Sequence, residues 1–364
     1  MTTRKYRLGQ SRHADDLDRP DSYAREGKAQ SKRRQQSADR LLTDIEDHDA
    51  EGMLALPDAS PWMHLEEATL IQRHSQWVDL ELADRSLLRA SLAGKLKGVK
   101  LVVGDRVRYS PVPIEPVDPN LPQVQVVAVM PRRSLLKRGG IDDREPWQLI
   151  CANADELWIC AAVVDPPLRP GILERAQTLA LAAGLTFRII VTKRDRASVK
   201  DTLPELDALR EQGLPILETS AAKAMGLEPL QELLKDRTVV LVGHSGVGKS
   251  TLVNALLPDV KVKTGDMSKY GTGRQTTTAA RWLPTPYGGT LVDTPGIRTM
   301  SVRGLDRSLL AHVFPEYPAD WIEDPSGLDP FSDDLDLDYP ERLQSLQRLW
   351  EEMGERNPNQ SSYR

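Results

Sequence analysis

The sequence predicts a multi-domain chain: a β-barrel, then an α/β unit built on a parallel sheet, then a small helical C-terminal region. Three observations carry this reading. The 364 residues exceed one ordinary core, on the usual scale of roughly 100–200 residues per domain. Short strand-like runs broken by loops, with no helical periodicity between them, fill about residues 65–138. From Cys151 onward strand-like runs alternate with helical ones, the pattern of a parallel sheet with helices on both faces.

Composition narrows the class. No apolar run approaches the roughly 20 residues that cross a bilayer, and MTTRKYRLGQSRHADDLDRP at the start lacks the apolar core of a signal peptide. No membrane association is expected. Cys151 and Cys160 are the only cysteines, so a disulfide framework is excluded and a reduced, cytoplasmic setting is expected. Two cysteines and six scattered histidines give no zinc-ligand spacing, and no zinc is expected. The net charge of −5 conceals a partition. Residues 1–40 hold eleven Lys/Arg against six acids, and residues 85–138 hold eleven against three. Residues 315–341 hold ten acids and no Lys or Arg. A mildly acidic chain can therefore present a basic face to RNA phosphates.

Residues 1–60 read as a disordered basic arm, with few large apolar side chains to pack. Residues 65–150 read as an OB-fold, with strands at Ala68–Ile71, Trp77–Leu82, Ser86–Ala90, Arg106–Tyr109 and Val124–Val129. Residues 151–303 form the α/β unit, with strands at Leu157–Val164, Phe187–Val191, Pro215–Glu218 and Thr238–Val242. Its helices fall at Pro170–Ala183 and Leu203–Gln212. Residues 304–364 form an acidic, helical region without a zinc site. Its last helix starts at Pro340 and puts Leu343, Leu346, Leu349, Trp350 and Met353 on one face, a docking surface onto its own domain.

The strongest motif is Gly243-His244-Ser245-Gly246-Val247-Gly248-Lys249-Ser250-Thr251, a complete phosphate-binding loop directly after the apolar run TVVLV. Its glycines let backbone N–H groups turn toward phosphates, and a helix at Ser250–Leu257 points its positive end at them. Lys249 is expected on the β- and γ-phosphates and the Ser250 hydroxyl on Mg²⁺. Forty-four residues after Lys249, Asp293-Thr-Pro-Gly296 ends another apolar strand. It places a carboxylate near Mg²⁺ and the Gly296 N–H near the γ-phosphate. Between them, Gly271-Thr-Gly-Arg-Gln275-Thr276-Thr277-Thr278 reads either as a mobile loop that folds over γ-phosphate and Mg²⁺, with Thr276 or Thr277 supplying a hydroxyl, or as a plain solvent loop. Thr277 is carried forward as the metal-side threonine.

The base is read from Thr192-Lys193-Arg194-Asp195 at the end of FRIIV. An aspartate there accepts from guanine N1–H and N2–H₂, a donor pair adenine lacks. Losing such a charged pair at a buried site costs about 1–3 kcal/mol. Lys193 packs its stem over the base, and Ser220-Ala221 after a further strand offers the Ala221 N–H to guanine O6. The expected ligands are GTP/GDP with Mg²⁺. These base-reading elements precede the phosphate loop, whereas ordinary GTPases place them after it. The fold is therefore a circularly permuted P-loop GTPase, whose elements still converge at the carboxyl ends of the strands.

In this order, the basic barrel, TKRD, SAAK, GHSGVGKS, the threonine loop and DTPG resemble the ribosome small subunit-dependent GTPase A family over about residues 65–303. Val102-Val-Gly-Asp-Arg-Val107 and Pro131-Arg-Arg-Ser-Leu-Leu-Lys-Arg138 are similar to its barrel signatures, and Asn153-Ala-Asp155 to its entry into the GTPase sheet. The resemblance implies an OB-fold, a permuted GTPase and a zinc-bearing C-terminal domain acting late in small-subunit maturation. The chain departs from it where the family carries a three-Cys, one-His knuckle: Trp321 to Asp334 contains no cysteine, so the zinc is not carried over.

The expected function is GTP hydrolysis stimulated by the small ribosomal subunit, with Arg106, Arg108, Arg132, Arg133, Lys137 and Arg138 as candidate rRNA contacts. A monomer is expected. The alternatives are an RNA-binding scaffold ordered by nucleotide without turnover, and a P-loop ATPase. Ile297 stands where Ras-like proteins place the water-orienting glutamine. Intrinsic hydrolysis is therefore expected to be slow, with Gln275 the candidate catalytic group within the chain. Relatives often carry histidine at that place, and glutamine here is either a functional substitute or a passive loop residue.

Overall fold

The computed structural model describes residues 56–112, 122, 124–139, 147–166, 171–196, 204–211, 213–258, 280–294, 300–332, 335, 337 and 340–354. Alternating apolar residues close the first unit into a barrel. Strands β1 (Glu66–Arg73), β2 (Val78–Glu81), β3 (Leu87–Leu92), β4 (Arg106–Pro111) and β5 (Val124–Val129) pair in the order β1-β2-β3-β5-β4, and β4 returns to β1. Only β3 and β5 pair in parallel. Leu70, Val78, Leu80, Ala90, Val107 and Val126 fill the interior. Leu56, within the expected arm, packs on the same core.

A two-stranded antiparallel sheet follows, β6 (Leu135–Gly139) with β7 (Trp147–Ala152), and its Leu136 and Cys151 belong to the main core beyond the barrel. The main sheet has the order β10-β9-β8-β11-β13-β12. Its strands are β8 (Glu156–Ala162), β9 (Thr186–Thr192), β10 (Ile216–Glu218), β11 (Thr238–Val242), β12 (Arg281–Pro284) and β13 (Thr290–Asp293). Every residue of the central β8 is buried, as a strand covered on both faces requires. Leu157, Ile159 and Ala161 face helices α1 (Ile172–Ala182) and α2 (Pro204–Glu211). Trp158, Cys160 and Ala162 face α3 (Leu227–Leu233) and α4 (Lys249–Leu256). The sheet is not wholly parallel, as the strand–helix alternation suggested: β12 runs antiparallel to β13. The tight turn between them, where the Thr285 N–H bonds the Gly289 carbonyl at 2.9 Å, is far too short for a parallel crossover.

The C-terminal region shares the main core through α5 (Leu310–Val313), α6 (Ala319–Glu323) and α7 (Pro340–Gly354). Leu343, Leu346, Leu349 and Met353 of α7 are buried in that core, with Trp350 partly buried against it. The stripe read from the sequence is thus a docking face. Arg342 fixes the dock. It bonds Glu316 at 2.6 Å, Glu174 of α1 at 3.2 Å and the Val313 carbonyl at 3.0 Å, with its guanidinium 4.9 Å from the Phe314 ring centre. Removing one member of a buried ion group strands the others without a counter-charge, at a cost of about 3–5 kcal/mol. Arg342→Ala is expected to lower the urea-unfolding midpoint accordingly. A midpoint equal to the parent's would show that Arg342 does not anchor the region.

Candidate functional site

The phosphate loop is shaped by a close approach of two strands. At Gly243, φ is +145° and an added Cβ would lie 2.6 Å from the Cys160 carbonyl oxygen, so only glycine fits. Gly246 and Gly248 also take positive φ, and Val247 anchors the loop in the core beside Leu252. Lys249 opens α4 and folds back, donating to the Gly243 carbonyl and, at 3.0 Å, to that of His244. Ser250 follows in the first turn, and Ser245, Gly246 and Thr251 are exposed around the loop.

The base-reading elements lie against this loop. Thr192 ends β9, is buried, and donates its hydroxyl to the Val247 carbonyl at 2.5 Å. Lys193 takes φ of +57° and donates to the Asp165 carbonyl. A Cβ built on Gly248 would meet its Cε at 3.8 Å, which places the lysine stem beside the phosphate loop. Arg194 pairs with Glu218 of β10 at 2.8 Å. Asp195 is exposed and accepts from the buried Ser220 hydroxyl at 2.5 Å. Ser220 also caps the following turn, which starts at Ala221, by accepting from the Lys223 N–H. Sequence reading missed Asp165, because a backbone carbonyl as partner leaves no trace in residue type.

Asp293 ends β13 opposite Leu241 of β11, two residues before Gly243. It is 4% exposed. Burial pushes its carboxyl above the usual carboxylate range, with Lys249 and Arg281 opposing. Burial likewise pushes Lys249 below its usual value, against the opposing influence of Cys160 and Asp293. Asp293 and the Ser250 hydroxyl are hard oxygen donors, a set that suits Mg²⁺. The glycine cradle, a half-buried lysine bonded, among the described residues, to loop carbonyls, and this donor pair fit a nucleotide phosphate with its magnesium. Gln275, Thr276, Thr277 and Gly296 lie outside the described residues.

Two of the six expected RNA-facing cations, Arg132 and Arg138, have buried side chains. Arg132 is 7% exposed and holds Asp105, itself fully buried, through two bonds of 2.7 and 2.9 Å. Arg138 is also buried and bonds Gln148. Arg108 and Arg106 bind Glu67, Arg133 binds Asp155, and the Lys137 ammonium sits 4.7 Å from the Trp147 ring centre. Arg132 and Arg138 therefore hold the fold together. Arg106 and Arg133, though paired, are exposed, and the barrel also exposes Arg73, Arg85, Arg89, Lys95 and Lys97, with Arg89 over Trp77 and Lys95 over Trp62. Among the described residues, no group of three or more His, Cys, Asp or Glu gathers as a metal site, and no helix is long and apolar enough to cross a membrane.

Comparisons with known proteins converge on one family. The RsgA GTPase family model matches residues 129–303. The small ribosomal subunit biogenesis GTPase RsgA of Gemmatimonas aurantiaca is 34% identical over 235 residues, 63% of this chain and 75% of that protein. The protein of the same name from Bordetella pertussis is 36% identical over 256 residues, 69% of this chain and 81% of that one. The crystal structure of YjeQ from Thermotoga maritima superposes with a TM-score of 0.58 at 26% identity, covering 80% of this chain and 99% of that one. YloQ, a circularly permuted GTPase, superposes with a TM-score of 0.53 at 21% identity, covering 80% and 96%, a likeness of fold.

Asp195→Asn replaces an acceptor with a donor toward guanine. It is expected to weaken GDP binding by roughly tenfold to several hundredfold, on the scale of about 1–3 kcal/mol for a lost charged pair. Calorimetric titration with GDP checks this, and parental affinity in the variant would remove Asp195 from the base site.

Proposed function

The chain belongs to the RsgA GTPase family, and on that premise we propose that it hydrolyses GTP to GDP and phosphate on the small ribosomal subunit, late in that subunit's maturation, in the cytoplasm. The observation that carries this reading is the convergence of Asp195, the Gly243–Lys249 loop and Asp293 at one end of the sheet, tied together by the Thr192 hydroxyl on the Val247 carbonyl. The relatives' role as small ribosomal subunit biogenesis GTPases supports the ribosomal setting.

In this proposal each side chain acts where it stands. Asp195 holds guanine through its two donors, Lys193 packs along the base, and Ala221 offers its N–H to the base oxygen. The loop N–H groups of residues 244–250 and Lys249 hold the β- and γ-phosphates. Ser250, Thr277 and Asp293 hold the magnesium, which when bound neutralises charge developing on the phosphates. Gly296 offers its N–H to the γ-phosphate, and Gln275 orients the attacking water because Ile297 cannot. The barrel meets rRNA through its exposed cations, among them Arg73, Arg89, Lys95, Lys97 and Arg106.

Phosphate release under multiple turnover, with and without small subunits, tests the reading. Stimulation by subunits supports it, and turnover indifferent to them would sink it. Gln275→Ala is expected to lower the stimulated rate about tenfold or more, the scale of one water-orienting group, with nucleotide affinity kept. Equal stimulated rates would assign the step to another group. Reversing charge at Arg73, Arg89, Lys95 and Lys97 together is expected to flatten the salt dependence of subunit binding, by roughly 0.7–0.9 in log–log slope per lost phosphate contact. An unaltered slope would place the RNA surface elsewhere.

A further inference from the structure

We infer that Glu81 of the barrel is a positioning residue for the nucleotide site, acting through Trp282 and the β12–β13 hairpin on Asp293. This rests on the nucleotide reading above and adds a function for the contact between barrel and sheet.

Glu81 closes β2 and is 5% exposed. A buried carboxylate must be partnered to be tolerated, and this one is held from two sides. Within the barrel, Arg85 reaches both its oxygens, at 3.1 and 3.2 Å. From across the chain, the Trp282 indole N–H donates to Oε2 at 2.8 Å. Arg85 goes on to grip the same hairpin, donating to the Thr290 hydroxyl at 3.3 Å, to the Gly289 carbonyl at 3.5 Å and to the Gly288 carbonyl. One ion pair of the barrel thus holds both strands of the hairpin and the turn that joins them.

The hairpin cannot absorb a displacement at that grip. A Cβ on Gly289 would lie 1.9 Å from the Leu234 carbonyl oxygen, so the turn is seated against the end of α3 without spare room. Strand β13 has only four residues, Thr290–Asp293. Arg85 holds its first residue, and Trp282 pairs in register with Val292, the residue before Asp293. On the β-strand rise of about 3.3 Å per residue, the carboxylate sits about 10 Å from the gripped threonine, along one extended segment. The grip therefore acts, together with the β11–β13 pairing at Leu241, on where Asp293 stands relative to Ser250. Base and phosphate-loop elements lie on β9, β10 and β11, which Glu81 and Arg85 do not touch among their described bonds.

The test separates positioning from simple support of the fold. Affinity for a non-hydrolysable GTP analogue is measured by calorimetry with saturating Mg²⁺ and again in EDTA, for the parent, Trp282→Phe and Glu81→Gln. Trp282→Phe keeps the ring in the core and removes only the N–H, which covers the case in which Glu81→Gln fails to fold. The expected result is a loss of about tenfold in the Mg²⁺-dependent gain of affinity, the scale on which partners of metal-site residues act. Affinity in EDTA is expected to stay within about twofold of the parent's. An undiminished Mg²⁺ gain in folded variants overturns the inference, and so does an equal loss in both conditions, which marks a structural contact only. A parent that binds no guanine nucleotide in either condition would overturn the nucleotide reading itself, and this inference with it.

Discussion

A side chain at residue 243 would stand 2.6 Å from the Cys160 carbonyl oxygen, so the chain can leave β11 only through glycine. That steric constraint places the rest. Because β11 lies in parallel register between β8 and β13, its exit falls beside the ends of both. The loop it forces can then bring Val247 under Thr192, whose hydroxyl ties the end of β9 to the phosphate loop. Asp195, the Gly243–Lys249 loop and Asp293 are thus brought to one end of the sheet through backbone geometry. Side chains add chemistry to positions the sheet has fixed.

Permutation changes what this sheet end is wired to. The strand carrying Asp293 leads directly into the C-terminal region, and that region packs on α1, the helix between β8 and the base-reading strand β9. No cysteine lies beyond Cys160, so metal–thiolate bonds cannot hold that region. Arg342 takes over the anchoring, joined by Trp350, whose N–H bonds the Glu323 carbonyl at 2.9 Å, and Gln347, which bonds the carbonyls of Pro325 and Leu328. Buried ion groups contribute orientation more dependably than net stability. Arg342, which joins Glu174 of α1 to Val313 and Glu316 at the end of α5, fits that use.

The parts legible in the sequence were those set by short, contiguous patterns. Gly243 to Thr251 states its loop and its helix in nine residues, and the barrel strands follow from alternation over four to eight residues. What stayed hidden depends on partners far along the chain. Arg132 reads as an rRNA contact because nothing near it reveals Asp105, 27 residues away and buried. The antiparallel β12 hid because Arg281-Trp-Leu-Pro284 shows too little alternation to announce a strand. The bond from Trp282 to Glu81 spans 201 residues, a separation no local pattern can encode. Gln275, Thr276, Thr277 and Gly296 were legible as motif positions, and their roles rest on the sequence alone.

The electrostatics of the site show why its anion and its cation belong together. Burial works against both charged groups, pushing Lys249 down and Asp293 up, and each is the other's partial relief. Among the described residues, Lys249 donates to the neutral carbonyls of Gly243 and His244, weaker partners than a phosphate oxygen. A phosphate arriving alone stabilises the lysine but adds negative charge near Asp293. A divalent cation arriving alone does the reverse. On the proposed reading, arriving together they would satisfy both, and each would raise the affinity of the other by the same factor. That coupling depends on the distance between Asp293 and the loop, since a charge interaction in a half-buried site falls steeply over the first few ångströms. On the proposed reading the position of β13 bears on that cooperativity, and Arg85 of the barrel bonds β13 at Thr290.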